Sequence, residues 1–220
     1  NNTPRIARID LKTFKTAEII ELPNSGGNHS SPFITENTEY VVAGTRFSVP
    51  GDYENGDVPI NTYKENYKGH ISFVKVGKEG EMDIAFQIMT PGVNFDLSHA
   101  GKGKSHGWFF FSCYNTEQAN TLLEVNASQK DKDFIMAVNW KKAEEYVKAG
   151  KGKKQKVRYA HNTWDEATHT AKSEIKTEVL VLDAAELKDI CYMIPCPKSP
   201  HGCDVDPTGE YIVGSGKLAA

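Results

Sequence analysis

Pro195-Cys196-Pro197-Lys198-Ser199-Pro200-His201-Gly202-Cys203-Asp204-Val205-Asp206-Pro207-Thr208-Gly209-Glu210-Tyr211-Ile212-Val213-Gly214-Ser215-Gly216-Lys217-Leu218 is the stretch on which the reading of this chain turns. Prolines fix φ and remove N–H donors ahead of a histidine, and a glycine follows it, so the imidazole is expected on a rigid, non-helical loop. Such a loop is suited to presenting a ligand. Asp206-Pro207-Thr208-Gly209 has the composition of a tight turn, with proline pre-set and glycine closing it. Glu210-Tyr211-Ile212-Val213 then reads as a short β run.

The same grammar recurs upstream. Arg5 to Leu11 alternates on a period of two and, with Glu18 to Leu22, predicts a hairpin. A polar loop, Asn24 to Pro32, carries His29 and leads to a strand over Thr38 to Phe47 that stops at Pro50. Gly51 to Lys68, rich in Gly, Asp, Asn and Tyr, reads as a long surface insertion. Gly69 to Val76 and Met82 to Ile88 form a second hairpin around Gly77-Lys78-Glu79-Gly80. Phe95 to Gly107 reads as loop, and Trp108 to Tyr114 as an aromatic strand buried on both faces. Asp133 to Asn139 is a strand, and Trp140 to Gly150 a short helix ended by glycine. Lys151 to Lys156 and His161 to Thr170 read as connections, and Lys176 to Leu182 as a strand. Many short strands with regular turn signals make the fold class all-β. Hairpins followed by residue-rich loops suit propeller blades better than a sandwich.

Composition narrows the function. With 220 residues and 39% hydrophobic content the chain can bury a core. A formal net charge of -3, with its one basic block at Lys148 to Lys156, argues against a nucleic-acid partner. No apolar run is long enough for a membrane span. Starting without Met inside a strand-like pattern, and stopping just after a strand, the sequence is expected to be an internal piece of a longer protein. Cys113, Cys191, Cys196 and Cys203 have no CxxC spacing and read as buried free thiols.

Two residue sets carry candidate chemistry. Neutral imidazole is a good ligand for copper and zinc. His29 and His201 stand out because Gly- or Pro-rich segments hold them beside strands, whereas His70, His99, His106, His161 and His169 carry no such context. Tyr114-Asn115-Thr116-Glu117 and Asp131-Lys132-Asp133 flank one loop with hard oxygen donors, which suit calcium. Against that, Glu117 could simply open a helical turn and Asp133 be solvated. No nucleophile elbow, Walker loop or paired-carboxylate motif occurs.

At these residues the chain resembles nitrous-oxide reductase. Pro195 to Cys203, the turn at Asp206 to Gly209, the strand after it and Gly216-Lys217-Leu218 are similar to the family's Pro-x-Pro-Lys-Asn-Pro-His-Gly-Cys, turn, strand, Gly-Lys-Leu pattern. Ser112 to Glu117, Asp133-Phe134, Val147 to Gly150 and Glu39 to Val42 fall in the family's order. The resemblance implies part of a seven-bladed N-terminal β-propeller over residues 1–220, with the family's cupredoxin domain and its dinuclear CuA centre outside the chain. The family's copper-sulfide cluster, CuZ, is bound by seven histidines. By position His29 and His201 resemble two of them, and the others would lie beyond both ends. The family's calcium site matches Tyr114, Glu117 and Asp133, while Ser199 stands where the family has Asn and no Met occurs at the expected place. The surroundings of His29 and the Gly51 to Lys68 insertion resemble the Sec-exported branch.

The resemblance thus implies a periplasmic oxidoreductase. It would reduce N2O with two electrons and two protons to N2 and water, the last step of denitrification. The implied partners are a c-type cytochrome or cupredoxin as electron donor, and a second subunit in a head-to-tail dimer. The fragment alone is expected to be inactive. A non-catalytic propeller binding module with incidental histidines explains the strands equally well, but not the joint order of Pro-His-Gly-Cys and Tyr-Asn-Thr-Glu. A zinc hydrolase lacks a third nearby ligand.

Overall fold

A computed structural model describes residues 3–29, 33–51, 58–59, 62–78, 80–114, 133–165, 170–196 and 200–216. Its strands are β1 (Arg5–Asp10), β2 (Lys15–Glu21), β3 (Phe33–Ile34), β4 (Val41–Gly44), β5 (Val49–Pro50), β6 (Tyr67–Val76), β7 (Met82–Pro91), β8 (Asn94–Ala100), β9 (Trp108–Tyr114), β10 (Phe134–Asn139), β11 (Lys153–Asp165), β12 (Thr170–Asp183), β13 (Cys191–Pro195), β14 (Pro200–Val205) and β15 (Ile212–Gly216). The helices are α1 (Tyr63–Asn66) and α2 (Trp140–Lys148).

The strands make three sheets. The first runs β1-β2-β11-β12-β7-β6-β4-β3 with β5 beside β6, the second β13-β10-β9-β8, and the third β14-β15. Within them the chain repeats one unit: an inner strand, a tight turn, then antiparallel strands stepping outward. The units are β3-β4-β6-β7, β8-β9-β10-β13 and β14-β15.

The inner strands of neighbouring units lie side by side and run in the same sense. The Phe33 ring lies 5.9 Å from His99, and the Gly103 N–H donates to Glu36. His99 Nε2 lies 3.0 Å from Asp204 Oδ1, and Gly202 packs beside Leu97. This is the arrangement of part of an all-β propeller.

The turn after the inner strand is repeated bond for bond. Thr35 N–H donates to the Tyr40 carbonyl, and Asp206 N–H to that of Tyr211. Thr38 N–H donates to the Thr35 carbonyl, and Gly209 N–H to that of Asp206. Tyr40 N–H caps on Thr35 Oγ1, and Tyr211 N–H on Asp206 Oδ1. Bonds from Thr208 and Tyr211 hold the Asp206 carboxyl down at about 2. Gly209 and Thr38 both have positive φ, 75° and 62°. Glycine takes that conformation freely, whereas a β-branched residue is strained there. Thr38→Gly, at an exposed position, is therefore expected to stabilise the protein by about 1 kcal/mol, measured as an upward shift in the denaturation midpoint. A downward shift would refute the strain.

Each unit buries a face against the next. Val42, Phe73, Phe86, Phe95, Phe109, Phe111, Met136 and Trp140 form the core between the first two. Tyr40 meets Phe73, Phe86 and Trp140 edge-on, and its hydroxyl donates to Glu144. Gly44 is needed here, since a Cβ would come within 2.8 Å of the Phe111 ring. A second cluster, including Ile6, Ile20, Val74, Ile84, Tyr159 and Val181, joins the β1-β2 hairpin to β6-β7.

Several expectations are corrected. Phe95 to Gly107 is not all loop: Asn94–Ala100 is the inner strand β8, antiparallel to β9. Its polar residues Asn94, Asp96 and Ser98 are buried, which inverts the usual hydrophobic-in reading of an alternating run. Lys151 to Lys156 and His161 to Thr170 contribute to the long strands β11 and β12 rather than to plain connections. The β11-β12 hairpin leaves the second unit after α2. It pairs with β2 on one side and, in parallel, with β7 on the other. His201 sits in a strand, because Pro200 occupies the first position of β14, opposite Gly216, where a missing N–H is tolerated. The strand expected over Thr38 to Phe47 is shorter, Val41–Gly44. The Gly51 to Lys68 stretch contains α1 and the start of β6, and residues 52–57, 60 and 61 lie outside the described set. Of the cysteines, Cys113 is buried and the other three are half-buried, all free.

His70 on β6 is buried at 1% exposure, and neither ring nitrogen has a hydrogen-bond partner. Burial pushes its pKa down from 6.5 to about 4. The folded state therefore resists a proton that the unfolded chain accepts. At pH above 6.5 the residue contributes nothing to pH dependence. As pH falls from 6.5 towards 4, stability is lost at up to about 1.4 kcal/mol per unit, roughly 3 kcal/mol in all. Urea titrations across that window should show a slope that His70→Gln removes; an unchanged slope would assign it to other groups.

Candidate functional site

The two histidines singled out in the sequence lie at one end of the inner strands. His29 follows Asn28, which bridges to Thr45 just beyond β4. Its ring is 51% exposed, with Nδ1 2.9 Å from Asp96 Oδ1. Asp96 is buried near the start of β8, and the same oxygen receives Arg46 Nη1 at 3.1 Å. The guanidinium balances a carboxylate that would otherwise be costly to bury. The carboxylate in turn fixes the imidazole's orientation, as outer partners of ligating histidines do.

One residue along β8, the Leu97 N–H donates to Ser112 Oγ at 3.0 Å. That hydroxyl lies 3.1 Å from the His201 carbonyl and in position to donate to it. Ser112 is fully buried on β9. It pins the backbone of His201 while the side chain stays exposed. Asp96-Leu97-Ser112 is thus a continuous link between the supports of the two imidazoles.

The oxygen donors gather at the same end of the second sheet. Cys113 is paired with Phe134, so the main chain of Tyr114 comes opposite Asp133. Asp133 is buried, and its carbonyl accepts the Cys196 N–H at 3.2 Å. Phe134 pairs with Pro195, so the chain leading to Ser199 departs beside Asp133. Glu117 and Ser199 themselves lie outside the described residues. The solvated alternative for Asp133 is excluded by its burial.

The remaining histidines are engaged elsewhere. His99 faces Asp204, His106 lies between Glu36 and Glu39, and His161 meets Glu18; His169 is outside the described residues. Among the described residues no group of three or more His, Cys, Asp or Glu is poised to hold a metal ion. His29 and His201 can supply only part of a ligand set. Sequence reasoning missed Asp96, Arg46 and Ser112. The alternation of Asn94 to Ala100 was the available signal for Asp96.

The chain is similar to nitrous-oxide reductase. It is 26% identical over 222 residues to the "Nitrous-oxide reductase" of Pseudomonas fluorescens. It is 26% identical over 220 residues to that of Stutzerimonas stutzeri. Each match covers 98% of this chain and 30% of the relative, so the chain spans about a third of the length of these curated relatives. No family model matches. The similarity is that of a distant oxidoreductase relative, and it extends from the β1-β2 hairpin to β15 rather than over one motif. No helix among the described residues is long and apolar enough to cross a membrane.

Proposed function

We propose that the chain is part of the N-terminal propeller of a periplasmic nitrous-oxide reductase. The observation that carries this reading is the convergence of His29 and His201 on one end of adjacent inner strands, each held by buried partners, in a chain similar throughout to that enzyme. Imidazole nitrogens fit copper, and Asp133 with the Tyr114 main chain fits calcium. Glu117 and Ser199 complete the calcium set in this reading.

When bound, a copper-sulfide cluster would supply the electron-rich metal chemistry needed to reduce N2O to N2 and water. The chain's own part is positional. Asp96 orients His29, Arg46 keeps Asp96 charged, and Ser112 holds the His201 main chain. A partner subunit carrying CuA, and a c-type cytochrome or cupredoxin, complete electron delivery in this reading.

Elemental analysis of the protein as its gene encodes it, purified without oxygen, tests the proposal. Copper in stoichiometric excess over protein, together with calcium, is expected. Copper-free protein after copper-replete expression with the assembly factors would overturn the reading.

A further inference from the structure

The repeated turn puts three residues in one structural position. Thr35 N–H donates to the Tyr40 carbonyl, Gly101 N–H to that of Trp108, and Asp206 N–H to that of Tyr211. Tyr40, Trp108 and Tyr211 are therefore equivalent. Two residues on, facing the same way, come Val42, Phe110 and Val213.

In the first two units this face looks towards the unit that follows. Tyr40 is 2% and Val42 0% exposed, covered by Phe73 and Phe86 of their own sheet and by Trp140, Phe109 and Phe111 of the next. Phe110 is 5% exposed, packed with Val205 and Ile212 of the third unit. In the third unit the same positions are bare: Tyr211 is 69% and Val213 66% exposed. The opposite face of β15 is used normally, with Ile212 in the cluster shared with the second sheet. β15 also has one hydrogen-bonded neighbour, β14, where β4 and β9 each have two.

We infer that the Tyr211-Val213 face and the free edge of β15 are an interface for further polypeptide of the same protein. The expected occupant is two more antiparallel strands on the β15 edge and a following sheet. Its second strand would be apolar at the positions that Phe109 and Phe111 hold in the second unit. The inference rests on the proposed reading of the chain as part of a larger propeller. Its occupant is identified by continuity with two interfaces of the same kind and by the relatives' greater length. Leaving such a face open would cost aromatic burial and present an unpaired edge.

Maleimide labelling of the gene-encoded protein tests this, read by peptide mass mapping against the native-cysteine background. Val213→Cys is expected to react as slowly as Val42→Cys, and at least about a hundredfold more slowly than Phe14→Cys, whose site is 81% exposed. Should Val213→Cys not fold, amide exchange of the unaltered protein should show Ile212–Gly216 protected like Val41–Gly44. Fast labelling or exchange in copper-replete protein would overturn the interface while leaving the enzymatic reading intact. Protection in copper-free protein would do the reverse. Protection that vanishes on dilution would assign the face to a second copy and overturn the inference.

Discussion

His201→Ala in the gene-encoded protein is expected to strip copper and lower N2O reduction by at least about a hundredfold. Loss of a mere outer partner of a ligand already costs about 10–100-fold in metal affinity or activity. The fold should survive. The His201 side chain is exposed, and its contribution to packing is made through the main chain, whose carbonyl faces Ser112. Surface truncations of that kind change stability by only about 0.5 kcal/mol. Copper analysis, activity and a denaturation midpoint on the same sample separate the effects. Retained copper with full turnover would remove His201 from the ligand set.

Glu18→Ala should have the largest effect on stability. Glu18 lies on β2 and is fully buried. It accepts the Met82 N–H of β7 at 2.7 Å and Arg8 Nε of β1 at 2.9 Å, and it meets His161 Nε2 of β11. One carboxylate thus serves three other strands of the first sheet. Truncation strands the Met82 N–H and the ring of His161 away from water, and breaking such a buried pair costs about 3–5 kcal/mol. Glu18→Gln, which keeps the size and one acceptor, should lose less. Equilibrium urea unfolding measures both; a loss below about 1 kcal/mol for the alanine variant would contradict the role drawn from burial.

What could be read from the chain alone follows a physical division. The hairpins at Arg5–Glu21 and Tyr67–Pro91 and the aromatic strand Trp108–Tyr114 announce themselves, because apolar alternation and turn residues are local. The Asp206 to Gly209 turn was legible for the same reason. β8 was not, because the burial of Asp96 depends on Arg46, fifty residues away, and no local rule anticipates a distant counter-charge. The prolines before His201 suggested a loop where register with Gly216 makes a strand. Of the site, His29 and His201 were legible as histidines in ordered surroundings. What brings them to one end, Asp96 and Ser112, arises only from tertiary pairing.

The hairpin that leaves the second unit to lie between β2 and β7 also sets an order of events during synthesis. Until residue 183 has left the ribosome, the β2 and β7 edges that β11 and β12 pair with have no partner. Non-local strand pairing is slow, and unpaired edges invite aggregation. The nascent first sheet is therefore an expected client for chaperones, and the window closes only when β12 docks on Gln87 to Met89.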